Sequence, residues 1–169
     1  MPKMIEESAD WEKRLAALWA TFDDRDEEQF VAAIDDLVAE LPDKSAIGSF
    51  ERACAFDSTG HSDLAVPLYR SALDVGLTGI RRRRAVIQMA SSMRNIGNAQ
   101  EAVALLAAEL EGEPDELTGA VRAVLALCLV DVGREREAVA VALTALSEHL
   151  PRYNRSLANY ARELMEKRD

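Results

Sequence analysis

The chain has 169 residues, of which 49% are hydrophobic and only 5% aromatic, and its formal net charge is −10. This length allows one compact domain or one short solenoid, and the excess of negative charge disfavours nucleic acid as a partner, because phosphates are repelled. The first fifteen residues contain charges and no apolar run, and no stretch approaches 18 uncharged apolar residues. We therefore expect neither a signal peptide nor a membrane partner.

Cys54 and Cys128 lie far apart without CxxC or Cys/His spacing, so we expect no disulfide framework and a reducing, cytoplasmic location.

Apolar residues recur at helical spacing along almost the whole chain. Val121, Leu125, Cys128 and Val132 form one such stripe, with the i, i+4, i+7 pattern of an amphipathic helix. Single glycines and prolines divide the chain between these stripes. The pattern predicts about nine helices, over 8–22, 26–41, 44–59, 62–75, 79–96, 98–110, 115–132, 134–149 and 152–167.

Three glycines punctuate a repeat. Gly60, Gly97 and Gly133 are 37 and 36 residues apart, and we expect each to end a helix in the left-handed conformation. Alanine stands seven residues before each glycine and again five residues after it, at Ala53, Ala90, Ala126, Ala65, Ala102 and Ala138. Small residues on facing helices let an antiparallel pair approach closely, and such pairs bury their remaining faces only by stacking, as in a solenoid.

The segments SSMRNIGNAQEAVALL, LCLVDVGREREAVAVAL and AFDSTGHSDLAVPLYRSAL resemble the tetratricopeptide repeat family, whose helix–turn–helix unit has about 34 residues. The units here are two to three residues longer, so the chain resembles a short, bacterial-type member with slightly long repeats. The resemblance implies an all-α fold, a right-handed superhelical stack of antiparallel helix pairs. It predicts a single domain over 1–169, with a degenerate pair over 8–41, repeats over 44–75, 79–110 and 115–149, and a capping helix over 152–167.

No residues stand at the spacing of a catalytic or metal site. There is no CxxC, HxxxH, calcium loop or glycine-rich phosphate loop, and we expect no serine to have a usable base beside it. We interpret His61 and His149 as surface residues, and the acidic run over 23–28 as a charged turn that leads into a helix. We therefore predict no catalytic residue, no metal and no cofactor.

In the family that the chain resembles, the first helix of each pair lines a concave groove that holds a peptide. Distances from the turn glycines transfer these groove positions to this chain, and helical spacing adds Gln88 to the middle set. The predicted partner-binding residues are Trp19, Phe22, Phe50, Cys54, Asp57, Arg84, Ile87, Gln88, Ser91, Arg94, Asn95 and Leu127. In the third pair the full set of groove positions is Ala120, Ala123, Leu127, Val130 and Asp131. The Lys/Asn/Arg clamp that holds chaperone tails is disfavoured, because Phe50, Cys54 and Ala120 stand in its places.

Two interpretations of the run Arg81–Arg84 stay open. The run is either a solvated face paired with nearby acids, or Arg84 and Arg94 receive an acidic partner segment, such as residues 23–28 of a second copy. Arg84→Glu combined with Arg94→Glu is then expected to abolish partner capture with little change in melting.

Trp11, Trp19 and Phe22 also have two interpretations, core packing and anchoring of a partner. Residues 1–43 hold thirteen Asp or Glu against four Lys or Arg, and we interpret this acidic third as a solvated face. The features together predict a non-enzymatic protein–protein interaction module that binds a peptide or partner protein. The alternative is a homodimeric structural protein that assembles through exposed helix faces, and light scattering separates the two.

Overall fold

The computed structural model describes residues 9–166, and within them it contains nine α-helices and no β-strand. The helices are α1 (Ala9–Trp19), α2 (Glu27–Val38), α3 (Ala46–Ser58), α4 (Ser62–Val75), α5 (Gly79–Asn95), α6 (Ala99–Leu110), α7 (Thr118–Asp131), α8 (Glu135–Ser147) and α9 (Asn154–Glu166). The prediction of an all-α fold is confirmed, with helix bounds that differ by at most three residues. Residue 8 of the first predicted helix and residue 167 of the last lie outside the described residues.

The chain forms two compact units, Met1–Ala85 and Val86–Asp169, which we call the N-terminal unit and the C-terminal unit. In the N-terminal unit α1 packs on α2, α2 on α3 and α3 on α4. In the C-terminal unit α6 packs on α7, α7 on α8 and α8 on α9. A single domain over 1–169 and the right-handed superhelix stay predictions.

The turn glycines all end their helices in the same way. Gly60, Gly97 and Gly133 have φ angles of 81°, 89° and 74°, which glycine adopts without steric penalty. The N–H of Gly97 donates to the carbonyl of Arg94 over 3.1 Å, and the next N–H donates to the carbonyl of Met93 over 2.8 Å. These are the two bonds of a Schellman motif, and both recur around Gly60 and Gly133. The expected left-handed glycines are therefore confirmed.

The alanines at fixed distances from these glycines lie in the core. All six are at most 8% exposed: Ala53, Ala65, Ala90, Ala102, Ala126 and Ala138. Alanine at these positions lets neighbouring backbones approach closely, because its side chain ends at Cβ. The small-residue columns of the sequence therefore mark the packed sides of the helices.

The first helix pair has a core built around aromatic residues. Trp11, Phe30 and Ile34 are fully buried, and Leu15 beside them is 5% exposed. The indole Nε1 of Trp11 donates to the carbonyl of Leu37 over 3.0 Å and so ties α1 to the last turn of α2. Of the two interpretations of Trp11, the structure supports core packing.

The seventh helix begins three residues later than predicted. Asp115 was expected in its first turn but precedes α7, where its carboxylate accepts from the N–H of Leu117 over 3.0 Å and the hydroxyl of Thr118 over 3.2 Å. The N–H of Asp115 donates in turn to that hydroxyl over 2.8 Å. Such local side-chain bonds compete with helix formation, and the helix starts only at Thr118.

Candidate functional site

The twelve predicted partner-binding residues form two sets of six, one in each unit. The N-terminal unit contains Trp19, Phe22, Phe50, Cys54, Asp57 and Arg84. The C-terminal unit contains Ile87, Gln88, Ser91, Arg94, Asn95 and Leu127.

A buried carboxylate connects three helices of the N-terminal unit. Glu51 in α3 is buried, and its two oxygens accept from Nε1 of Trp19 in α1 and from Nε of Arg81 in α5, each over 3.1 Å. Arg81 also donates from both terminal nitrogens to the carboxylate of Glu12 in α1, over 3.0 and 2.7 Å. For Arg81 the structure therefore supports pairing with nearby acids.

Burial raises the pKa of Glu51 above its ordinary value, although the charge of Arg81 and the indole of Trp19 act in the opposite direction. A carboxylate that leaves water loses hydration, and a few hydrogen bonds replace it only in part. Glu51 and Arg81 are paired with each other in this network. The network therefore holds the start of α5 against α1 and α3.

A second cluster surrounds Phe50, which is fully buried in α3. The guanidinium carbon of Arg84 lies 5.2 Å from the centre of the Phe50 ring, within the range of a cation–π interaction. The hydroxyl of Tyr69 lies 3.7 Å from Sγ of Cys54 and 3.2 Å from a carboxylate oxygen of Asp57. Burial raises the pKa of the Cys54 thiol to about 12. Arg84 is the exposed member of this cluster and Asp57 is half-buried, whereas Phe50 and Cys54 offer no surface.

Trp19 and Phe22 flank the core of the first pair. Their ring centres lie 5.0 and 4.9 Å from that of Phe30, in edge-to-face geometry. Such aromatic pairs contribute beyond the area that they bury. Both side chains are half-buried, so the structure supports core packing for their inner faces.

In the C-terminal unit, the predicted residues of α5 become more exposed along the helix. They run from Ile87, which is buried, through Gln88, Ser91 and Arg94, which are half-buried, to Asn95, which is exposed. Nε of Arg94 lies 2.6 Å from a carboxylate oxygen of Asp131. The last turns of α5 and α7 are therefore joined by an ion pair.

The first helix of the third pair, α7, presents an apolar stripe to solvent. The groove positions that the family resemblance implies in α7 are all exposed: Ala120, Ala123, Leu127, Val130 and Asp131. Leu127 and Val130 are each 50% exposed. In α3 and α5 at least one corresponding position is buried, namely Phe50, Cys54 and Ile87. Helix α7 therefore offers the most open of these faces.

Glu51 and Tyr69 belong to these clusters but are not among the predicted partner-binding residues. Glu51 lies four residues before the buried Ala55, so helical spacing already placed it on a packed side of α3. No signal of this kind pairs Arg81 with Glu12, because the two are 69 residues apart in the chain.

Neither a metal cluster nor a membrane-spanning helix occurs in the part of the chain that the structure describes. Within residues 9–166, no group of three or more His, Cys, Asp or Glu side chains could hold a metal ion. No helix in that range has the length and apolar character needed to cross a bilayer.

The helix pairs and their glycine turns have a counterpart among known families. A family model described as tetratrico peptide repeat matches residues 46–164, from the start of α3 into the last turn of α9. The chain belongs to the tetratricopeptide repeat (TPR) family. No curated protein and no solved structure matches it. TPR proteins generally mediate protein–protein interactions and are typically non-enzymatic scaffolds.

Proposed function

We propose that this TPR protein is a cytoplasmic, non-enzymatic interaction module that binds a peptide or partner protein along the first helices of its pairs. The observation that carries the proposal is the exposed stripe of α7, because all five groove positions implied by the family face solvent there. Cys54 and Cys128 are both free thiols, which fits a reducing compartment.

The chemistry of the stripe favours an apolar side chain at its centre. Leu127 and Val130 are each 50% exposed, and covering them stabilises a complex by about 1 kcal/mol each. Asp131 and its partner Arg94 lie at the end of the stripe and provide polar contacts at the rim. Arg94, at this end of the stripe, would receive an acidic residue of such a partner.

Exposure alone does not choose between helices. Val139 and Leu146 in α8, the second helix of the same pair, are 50% and 48% exposed. They provide a control with matched side chains and matched exposure.

The proposal is tested by panning a library of random 12-residue peptides on the purified chain and measuring the affinity of synthesised hits by calorimetry. We expect Leu127→Asp combined with Val130→Asp to weaken binding by about 30-fold, since about 2 kcal/mol is lost. Val139→Asp combined with Leu146→Asp should leave the affinity within about twofold. If the α8 variant weakens binding as much as the α7 variant, or if no peptide is enriched, the proposal is wrong.

Self-assembly is the second candidate, and the surface of the last helix favours it. In and beside α9, Tyr153, Tyr160 and Met165 are 77%, 61% and 47% exposed, and exposed aromatic residues are common in interfaces. Light scattering over a range of concentrations decides the question, because a mass that stays at the monomer value excludes the homodimer.

A further inference from the structure

A cleft of about 410 Å³ opens in the N-terminal unit. It lies between α2, the end of α3 and the turn into α4, and its walls include Glu27, Glu28, Val31, Phe56, Thr59 and Leu64. Its volume falls within the range of pockets that hold ligands in proteins, about 300–1,000 Å³. None of the predicted groove residues contributes to it.

The cleft and the Phe50 cluster lie on different sides of α3. Successive residues of an α-helix are rotated by roughly 100°, so Phe56 and Thr59 project roughly 120° and 180° away from Phe50. An occupant of the cleft therefore does not compete with one bound at Arg84.

The floor of the cleft is apolar. Val31 and Phe56 are half-buried there, and Leu64 is 43% exposed although it lies in the first turn of α4. Covering such a floor removes apolar surface from water, so an apolar side chain is favoured as its occupant.

The rim of the cleft carries three carboxylates, and among the described residues only one of them has a basic partner. Asp35 is paired with Arg52, with 2.7 Å between Oδ1 and Nε. The carboxylates of Glu27 and Glu28 are exposed and have no ion pair within residues 9–166. Two unpaired negative charges therefore stand beside an apolar floor.

Two polar side chains complete the rim. The hydroxyl of Thr59 donates to the carbonyl of Ala55 over 2.9 Å and lies 3.2 Å from Nδ1 of His61. The exposed carboxylates of Glu27 and Glu28 remain the charged groups of the rim, and they favour a cationic occupant.

We propose that the cleft binds a basic, amphipathic peptide segment of a partner protein. An apolar side chain of the segment covers Val31, Phe56 and Leu64, and a neighbouring Lys or Arg pairs with Glu27 and Glu28. This site is separate from the α7 stripe, and it selects a partner of opposite charge to the acidic segment expected at Arg84 and Arg94.

The probe is a fluorescein-labelled 12-residue peptide of Lys and Leu at helical spacing, and its counterpart carries Glu in place of each Lys. Binding is followed by fluorescence anisotropy at low and at physiological ionic strength. Glu27→Gln combined with Glu28→Gln should weaken binding of the Lys peptide about fivefold, the effect of losing two exposed ion pairs. Glu113→Gln combined with Glu116→Gln removes the same charge from the exposed loop before α7 and should change the affinity by less than about twofold.

A second pair of variants tests the apolar floor. Leu64→Ser should weaken binding about threefold to fivefold, because about half of a leucine side chain is no longer covered. Leu146→Ser, at a leucine of nearly equal exposure in α8, should leave the affinity unchanged. Circular dichroism melting of each variant verifies that it is folded.

Four results would overturn the proposal. The first is no measurable binding of the Lys peptide, and the second is equal binding of the Glu peptide. The third is equal weakening by the Glu113/Glu116 control, which indicates attraction to net charge alone. The fourth is loss of binding in the Leu127→Asp, Val130→Asp variant, which places the peptide on the α7 stripe. If this variant binds the Lys peptide normally, the peptide does not use the α7 stripe, and the two proposals can fail separately.

Discussion

Arg81 and Glu51 form an ion pair that is largely withdrawn from solvent. Nε of the arginine lies 3.1 Å from Oε1 of the glutamate, and the two side chains are 21% and 4% exposed. For such a pair the desolvation of both charges offsets much of their attraction. The pair therefore affects stability mainly when one partner is removed, because the other charge then stays buried without a partner.

Replacing Arg81 by Met should lower the free energy of unfolding by about 2–3 kcal/mol. Removing one partner of a fully buried pair costs about 3–5 kcal/mol, and the partial exposure of Arg81 reduces that figure. Urea unfolding measures the change. Arg14→Met is the control, because it breaks a surface pair with Glu40, and its effect should be much smaller. Equal decreases in the free energy of unfolding of the two variants would show that the burial of Glu51 adds nothing to the cost of removing its partner.

The raised pKa of Glu51 gives stability a defined dependence on pH. The folded state binds this proton more tightly than the unfolded state does, so stability falls as the pH rises from the unfolded-state pKa through the folded-state pKa. Glu51→Gln removes this titration. The free energy of unfolding of the wild type, relative to that of Glu51→Gln, should therefore decrease as the pH rises above about 4, the ordinary pKa of a glutamate in the unfolded chain. A difference that increases over this range would contradict the prediction.

The helices and their glycine turns could be predicted from the sequence, because the patterns that predict them lie within one helix pair. The φ angle of Gly97 and the burial of Ala90 and Ala102 follow from spacing along one helix pair. The start of α7 differs from the prediction for an equally local reason, since Asp115 and Thr118 bond to each other before the helix begins.

The binding surface was less predictable because exposure depends on contacts between distant segments. Phe50 and Cys54 occupy the same repeat positions as Ala123 and Leu127, yet the first two are buried and the latter two exposed. Tyr69 and Arg84 pack against Phe50 and Cys54 in α3. Spacing from a turn glycine cannot report such contacts.

Substitutions at Gly97 test the left-handed turns. Gly97→Ala should lower the free energy of unfolding by about 1–2 kcal/mol, entirely through backbone strain, since no atom lies within 4 Å of an added Cβ. Gly97→Asn should cost less, because asparagine tolerates this conformation. Gly112→Ala is the control, because the backbone of Gly112 suits any residue and the nearest atom lies 3.6 Å from the new Cβ. The melting temperature should be highest for Gly112→Ala, lower for Gly97→Asn and lowest for Gly97→Ala. Equal melting temperatures of the two alanine variants would contradict the prediction.

The two cysteines should be inert in the native protein. Burial raises the pKa of the Cys54 thiol to about 12 and that of Cys128 above its ordinary value, and both side chains are buried. At about pH 8 the thiolate fraction of Cys54 is about a thousandfold below that of a free cysteine. Ellman's reagent should therefore detect no thiol until guanidinium chloride unfolds the chain. Rapid reaction of Cys54→Ala in its native state would indicate that Cys128 is accessible.

The ion pair between Arg94 and Asp131 changes what charge reversal at Arg94 does. Nε of Arg94 lies 2.6 Å from the carboxylate of Asp131, so Arg94→Glu replaces an attraction by a repulsion between carboxylates. Both side chains are about one third exposed, and we expect a loss of about 1 kcal/mol. The expectation of nearly unchanged melting therefore does not apply to Arg94→Glu. Combining Arg94→Glu with Asp131→Arg restores opposite charges and should recover most of the loss in thermal melting. If the combined variant melts no higher than Arg94→Glu alone, the two residues are not paired in solution, and a partner's acidic residue can reach Arg94 without displacing Asp131.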